Sequence, residues 1–169
     1  MSRGLLALAA VLVTASALAQ DPSEAVLGRW AGDSSIIEVA RSAEGGLAAT
    51  VIALKNPLFR EGEGGPVGQP VTDRNNPDPA RRDQPVLGLN LLAGYRWTGE
   101  RWQGEIYDPE SGKTYSSRMS VDRKGDLKMR GYIGTPLLGR TARFEPVSRC
   151  SDLTVRMLAS AGLPDCAPD

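Results

Sequence analysis

The chain has 169 residues, 20 basic and 20 acidic side chains, and no histidine. That length makes a single domain the default, and a formal charge of zero lacks the electrostatic footprint of a nucleic-acid binder. Without histidine, every Ser-His, Cys-His and His-ligated metal mechanism is excluded.

At the N-terminus, Arg3, the apolar run Leu5 to Val13 and Ala17-Leu18-Ala19 ahead of Gln20 follow the basic, apolar, small-residue order of a secretory leader. The run is shorter than the about 20 apolar residues that span a bilayer. The pattern predicts cleavage near Ala19-Gln20, no membrane span, and a periplasmic or secreted mature chain. No cysteine follows the small residues to carry a lipid anchor. Loss of residues 1–19 removes one cation, Arg3, leaving 19 basic against 20 acidic residues. A net charge of −1 gives no reason to expect attraction to a membrane surface.

Short alternating runs separated by Gly, Asp, Asn and Pro then read as a meander of antiparallel strands. The candidates are Ala25–Ala31, Ser35–Arg41, Leu47–Leu54, Leu87–Trp97, Arg101–Asp108, Lys113–Asp122, Asp126–Ile133 and Gly139–Val147. Between the third and fourth, residues 55–85 hold six of the 12 prolines and the patch Glu61-Gly62-Glu63-Gly64-Gly65. This stretch cannot be core strand; it reads as a lid or an insertion. Its second half, Asp73 to Arg82, has turn and cap chemistry and predicts one helical turn across a barrel end.

Turns at Gly99-Glu100, Pro109–Gly112 and Arg123–Gly125 align the later hairpins, and each turn dictates which side chains share a face. Trp97 falls opposite Trp102, Ile106 opposite Tyr115, Met119 opposite Met129 and Val121 opposite Leu127. With Ile133 these form one apolar surface. The other surface holds Gln103, Glu105, Tyr107, Ser116, Arg118, Lys128, Arg130 and Tyr132. The fold class is therefore all-β, a single up-and-down antiparallel barrel of about eight strands, since closure leaves no long exposed edge. A two-sheet sandwich is the alternative.

Cys150 and Cys166 bracket a segment that Ser151 can cap as a helix and Gly162 with Pro164 can end. In an oxidising compartment they pair and hold the tail closed; a reactive or metal-binding thiol pair would lack further ligands. The predicted organisation is a leader at 1–19, a barrel domain at 20–147 and a disulfide-closed tail at 148–169.

Four blocks together resemble the exported bacterial family catalogued as domain of unknown function 2147. They are Gly28-Arg29-Trp30; Asp73 through Arg82 with Asn76-Pro77-Asp78-Pro79; Ile106-Tyr107-Asp108-Pro109 with Gly112-Lys113 and Tyr115; and Arg130 through Gly134 with Leu138 to Thr141. The likeness spans about Gly28 to Val147, leaves the cysteine-bearing tail outside it, and implies no activity. Gly28-Arg29-Trp30 also resembles the first strand of lipocalin-like barrels. That resemblance implies a structural tryptophan capped by an arginine from near the last strand, here Arg140 or Arg143, through a cation–π contact.

Candidate chemistry is sparse. Arg118 and Arg130 fall directly opposite each other, a destabilising pairing unless compensated. An anion held in an Arg fork, with Tyr132 adding a hydroxyl donor, would compensate it; a solvated outer face beside Glu105 is the simpler reading. Asp73, Asn75, Asn76 and Asp78 do not match a calcium loop, because Pro77 stands where a ligand is needed. Asp73, Asp78, Asp83 and Asp108 are the carboxylates available for acid–base chemistry of a hydrolase. No metal or cofactor is implied.

The apolar face with Trp97, Trp102, Tyr115, Met119 and Met129 predicts a non-catalytic binder of a small apolar or amphipathic ligand inside the barrel. The same side chains can equally fill it, since eight strands are wide enough for either outcome. An envelope interaction module acting on an unidentified protein partner through its surface is the second reading, and a carboxylate-dependent hydrolase the third.

Overall fold

The computed structural model describes residues 21–166. The leader assigned to residues 1–19 lies outside them. Eight strands are formed: β1 (Gly28–Ala31), β2 (Ser35–Arg41), β3 (Leu47–Leu54), β4 (Leu92–Trp97), β5 (Trp102–Asp108), β6 (Lys113–Val121), β7 (Leu127–Tyr132) and β8 (Arg140–Pro146). They make one sheet in the order β3-β2-β1-β8-β7-β6-β5-β4, with antiparallel neighbours throughout. Among the described residues one α-helix, α1 (Asp152–Ser160), follows.

The sheet curls into a nearly closed barrel, and its closure lies before β4. Gly88 N donates to Val51 O at 2.8 Å, Val51 N to Leu89 O at 3.0 Å and Leu91 N to Ala49 O at 2.9 Å. Asn90 completes the join: its Oδ1 accepts from Ala49 N at 3.0 Å and from Leu92 N at 3.2 Å. Residues 87–91, read in the sequence as the start of the fourth strand, thus pair irregularly across the barrel. Closure satisfies backbone groups that an open edge would leave bare.

The predicted hairpin registers hold: Trp97 pairs with Trp102, Ile106 with Tyr115, Met119 with Met129 and Val121 with Leu127. Ile133 departs from the prediction. The sheet ends at Tyr132, and Ile133 is 71% exposed at the start of the next turn. Inside the barrel Trp30, Ile37, Val39, Leu92, Tyr95, Trp102, Met119, Leu127 and Met129 belong to one continuous buried cluster. Leu92 and Tyr95 both point inward although three residues apart, because the register shifts between Ala93 and Arg96, where Gly94 takes a φ of +61°. The Tyr95 ring then lies on Gly104, where a Cβ would sit 2.4 Å from it.

Helix α1 packs outside the barrel. Met157 and Leu158 join Ala31, Ile36, Ala53 and Val147 in a second, smaller buried cluster. Ser151 caps the helix, its Oγ accepting from Thr154 N at 3.3 Å, and Gly162 at φ +65° lets the chain turn after it. The Cys150–Cys166 disulfide closes the tail. The proline-rich stretch carries the expected helical turn as a 3-10 turn at Pro79–Arg81, capped by Asp78. It is held at the end of the barrel that carries the β5–β6 turn, where Asn75 Nδ2 donates to Glu110 O at 2.7 Å.

Candidate functional site

Register builds the interior. Trp102, Met119 and Met129 lie side by side across β5, β6 and β7, and each is buried. Trp97 meets Trp102 with ring centroids 5.7 Å apart, and Trp97 and Tyr115 are only half-buried. Tyr95, absent from the sequence-based set, is buried at the centre; its hydroxyl donates to Ser117 Oγ at 2.7 Å. Burial pushes its pKa up to about 12 against the lowering effect of that bond. Tyr95 shares strand parity with Trp97, the signal by which sequence reading could have found it.

One end of the barrel is stoppered by residues 21–27. The Trp102 indole donates to Ser23 O and the Trp30 indole to Val26 O, both at 2.9 Å. Arg41, paired with Glu24, lies 4.9 Å above the Trp102 ring. This corrects the expected capping of Trp30 by Arg140 or Arg143. Strand alternation sends Ala142 and Phe144 inward and Arg143 outward, where it meets Asp122 at 3.2 Å. Arg140 pairs with Gly131 at the far end of β8, six residues from Pro146, the partner of Trp30. Gly28 takes a φ of +124°, and Trp30 lies in the core.

An opening lies on a side of the barrel that the sequence did not mark. Strand β1 has four residues, and only Trp30 and Ala31 pair with β8. Beyond them the strands part around a cleft of about 610 Å³, bordered by Ala31 to Ser35, Thr141 to Glu145 and the start of α1. Ala31, Ala142, Phe144 and Leu153 supply apolar surface; Asp33, Asp126, Arg143 and Glu145 supply charge. Phe144 stands between this cleft and the interior, packing on the main core, and its ring would meet a Cβ on Gly32 at 2.8 Å.

On the outer wall Arg118 and Arg130 are direct partners, as predicted. The Arg130 guanidinium serves the β7–β8 turn, donating to Pro136 O at 2.8 Å, Thr141 Oγ1 at 2.9 Å and Leu137 O at 3.2 Å. Arg118 lies 5.7 Å from the Tyr132 ring, and its buried Nε has no acceptor. Both arginines line a shallow cleft of about 330 Å³ with Arg101, Lys128 and Leu137; Tyr132 does not line it.

Of the four candidate carboxylates, Asp73, Asp78 and Asp108 are taken up structurally, and Asp83 is exposed. Asp73 is fully buried and accepts from Tyr107 Oη at 2.7 Å and Asn76 Nδ2 at 2.6 Å. Burial and that carboxylate raise the Tyr107 pKa to about 12. Asp108 accepts from Glu110 N at 3.0 Å and Ser111 Oγ at 2.6 Å within its own turn, while Asp78 caps Ala80. These contacts show why the Asp73–Arg82 and Ile106–Pro109 blocks go together: one pins the long loop to the other.

The barrel, its closure and its apolar interior define a lipocalin-like fold. It is similar to that of a solved structure described as "Protein HP1028 from the human pathogen Helicobacter pylori belongs to the lipocalin family". The likeness has a TM-score of 0.57 and 21% identity, covering 82% of this chain and 90% of that one. A comparison with curated proteins finds no match. The chain belongs to the family described as "Uncharacterized protein conserved in bacteria (DUF2147)", whose model matches residues 28–145. The disulfide-closed tail follows that span.

Proposed function

We propose that this protein is an exported, non-catalytic binder of a small amphipathic molecule, processed near Ala19-Gln20 to a barrel of residues 20–147 and a tail of 148–169. The observation that carries the reading is the cleft at the β1–β8 seam, whose volume of about 610 Å³ falls in the range of small-molecule sites. Its mixture of Phe144, Ala142 and Leu153 with Arg143, Asp33 and Glu145 suits a ligand with one apolar and one polar end. Behind Phe144, Met119 and Met129 with Trp102 offer a polarizable floor that can repack around an apolar group. Trp97 and Tyr115, half-buried at the margins of that interior, complete the ligand-facing set in this reading. The disulfide supports export, because such bonds persist in oxidising compartments.

The test is intact mass, measured natively and again after denaturation, on protein purified gently from periplasm. The expected result is a mass excess that disappears on denaturation and is absent from Ala142→Trp, whose indole would occupy the seam. An excess kept by Ala142→Trp would move the ligand elsewhere. A bare native mass would turn the reading toward a protein that acts through its surface.

A further inference from the structure

The cleft on the outer wall, which shares Thr141 with the seam, has a different chemistry, and its argument needs no ligand at the seam. Its border carries four cations, Arg101, Arg118, Lys128 and Arg130, and one exposed leucine, Leu137. Arg101 is paired with Glu100 and Lys128 with Asp122, whereas Arg118 and Arg130 have no carboxylate partner among the described residues. Arg118 also has a buried Nε without an acceptor. A guanidinium placed directly across from another, with neither neutralised, is a costly arrangement that an anion would relieve.

The apolar half is equally deliberate. Leu137 and Leu138 are 88% and 83% exposed at the tip of the β7–β8 connection. They are not on a slack loop. Pro136–Leu138 form a 3-10 turn, Thr135 Oγ1 accepts from Leu137 N at 3.1 Å, and Arg130 holds the carbonyls of Pro136 and Leu137. The same arginine that lines the cationic cleft therefore props two leucines into solvent beside it. Large apolar side chains held out of the core next to uncompensated cations are the chemistry of a lipid interface, where side chains enter the acyl boundary and cations meet headgroups.

We propose that this face docks the protein onto a bilayer bearing anionic phospholipids, with Leu137 and Leu138 inserted and Arg118 with its neighbours on the headgroup phosphates. The whole-chain charge of zero conceals the site, because the balance does not extend to Arg118 and Arg130, which pair with no carboxylate among the described residues.

The experiment is co-sedimentation of the purified chain with vesicles of phosphatidylcholine alone or mixed with phosphatidylglycerol. Binding is expected only with phosphatidylglycerol, weakening as salt is raised. Arg118→Gln should lower the partition coefficient about fivefold, Arg118→Lys should largely retain it, and Leu137→Gln with Leu138→Gln should lower it at least about tenfold. All variants share one N-terminus, so differences between them report on this face. The leucines are exposed, so their variant keeps the fold; circular dichroism checks the arginine variants. No binding to phosphatidylglycerol vesicles overturns the proposal, as does equal binding to both vesicle types. Binding unchanged in both the Arg118→Gln and the double leucine variants overturns it too. If inorganic phosphate protects Arg118 against phenylglyoxal while vesicles do not, the cleft is a small-anion site and the bilayer is not its partner.

Discussion

Asp122 gathers its surroundings at the β6–β7 turn: Lys128 Nζ at 3.0 Å, Arg143 Nη1 at 3.2 Å, and the amides of Lys124 and Asp126 at 2.8 and 3.2 Å. The bond from Lys128, chiefly, holds its carboxyl down at about 2. An unfolded aspartate titrates near about 3.9, so Asp122 stabilises the fold above that pH and the contribution is lost as pH falls through about 2. Urea midpoints measured from pH 5 to pH 2 should fall less steeply in Asp122→Asn than in the native chain; parallel curves would show that the cluster adds nothing. At this scale the sequence was partly legible. The pairing of Arg118 with Arg130 follows from turn length alone, because a hairpin turn sets the register. The partners of Arg143 and Arg41 do not, since a long side chain chooses among groups that only the curled sheet brings near.

At the scale of elements, Asn90 replaces a backbone carbonyl at the closing seam between β3 and the segment before β4. Asn90→Ala should leave Ala49 N without its partner and cost about 1–3 kcal/mol, seen as a lower denaturant midpoint and faster amide exchange at Ala49 and Leu92. Unchanged exchange would mean that water replaces the side chain at no cost. Six of the eight strand cores were read closely from alternation and turn residues. The fourth was overextended, because Leu87 to Leu91 alternate like a strand yet pair through Asn90 and irregular bonds. Ile133 was assigned inside because it keeps the parity of Met129; the chain leaves the sheet at Tyr132, and parity has no meaning beyond the last ladder bond.

For the whole molecule, the tail is a buttress on a barrel that has its own core. A nine-residue helix is too short to persist alone, so the Cys150–Cys166 link and the small cluster around Met157 hold it. Replacing both cysteines by serine should cost about 3 kcal/mol in the chain-entropy view. It should also expose α1 to limited proteolysis while the fluorescence of the three tryptophans, all in the barrel segment, stays native. Loss of the tryptophan signal at the same protease dose would instead make tail and barrel one cooperative unit.

Alternation, turn chemistry and the cysteine spacing by themselves determined that this is an eight-stranded meander with one apolar face and a capped, disulfide-closed tail, because those signals act between residues near in the chain. Where the barrel gapes was decided only by tertiary structure. The short pairing of β1 with β8 and the plug of residues 21–27 depend on contacts between distant segments. Their strength depends on how far the closed sheet curls, and no local pattern encodes that.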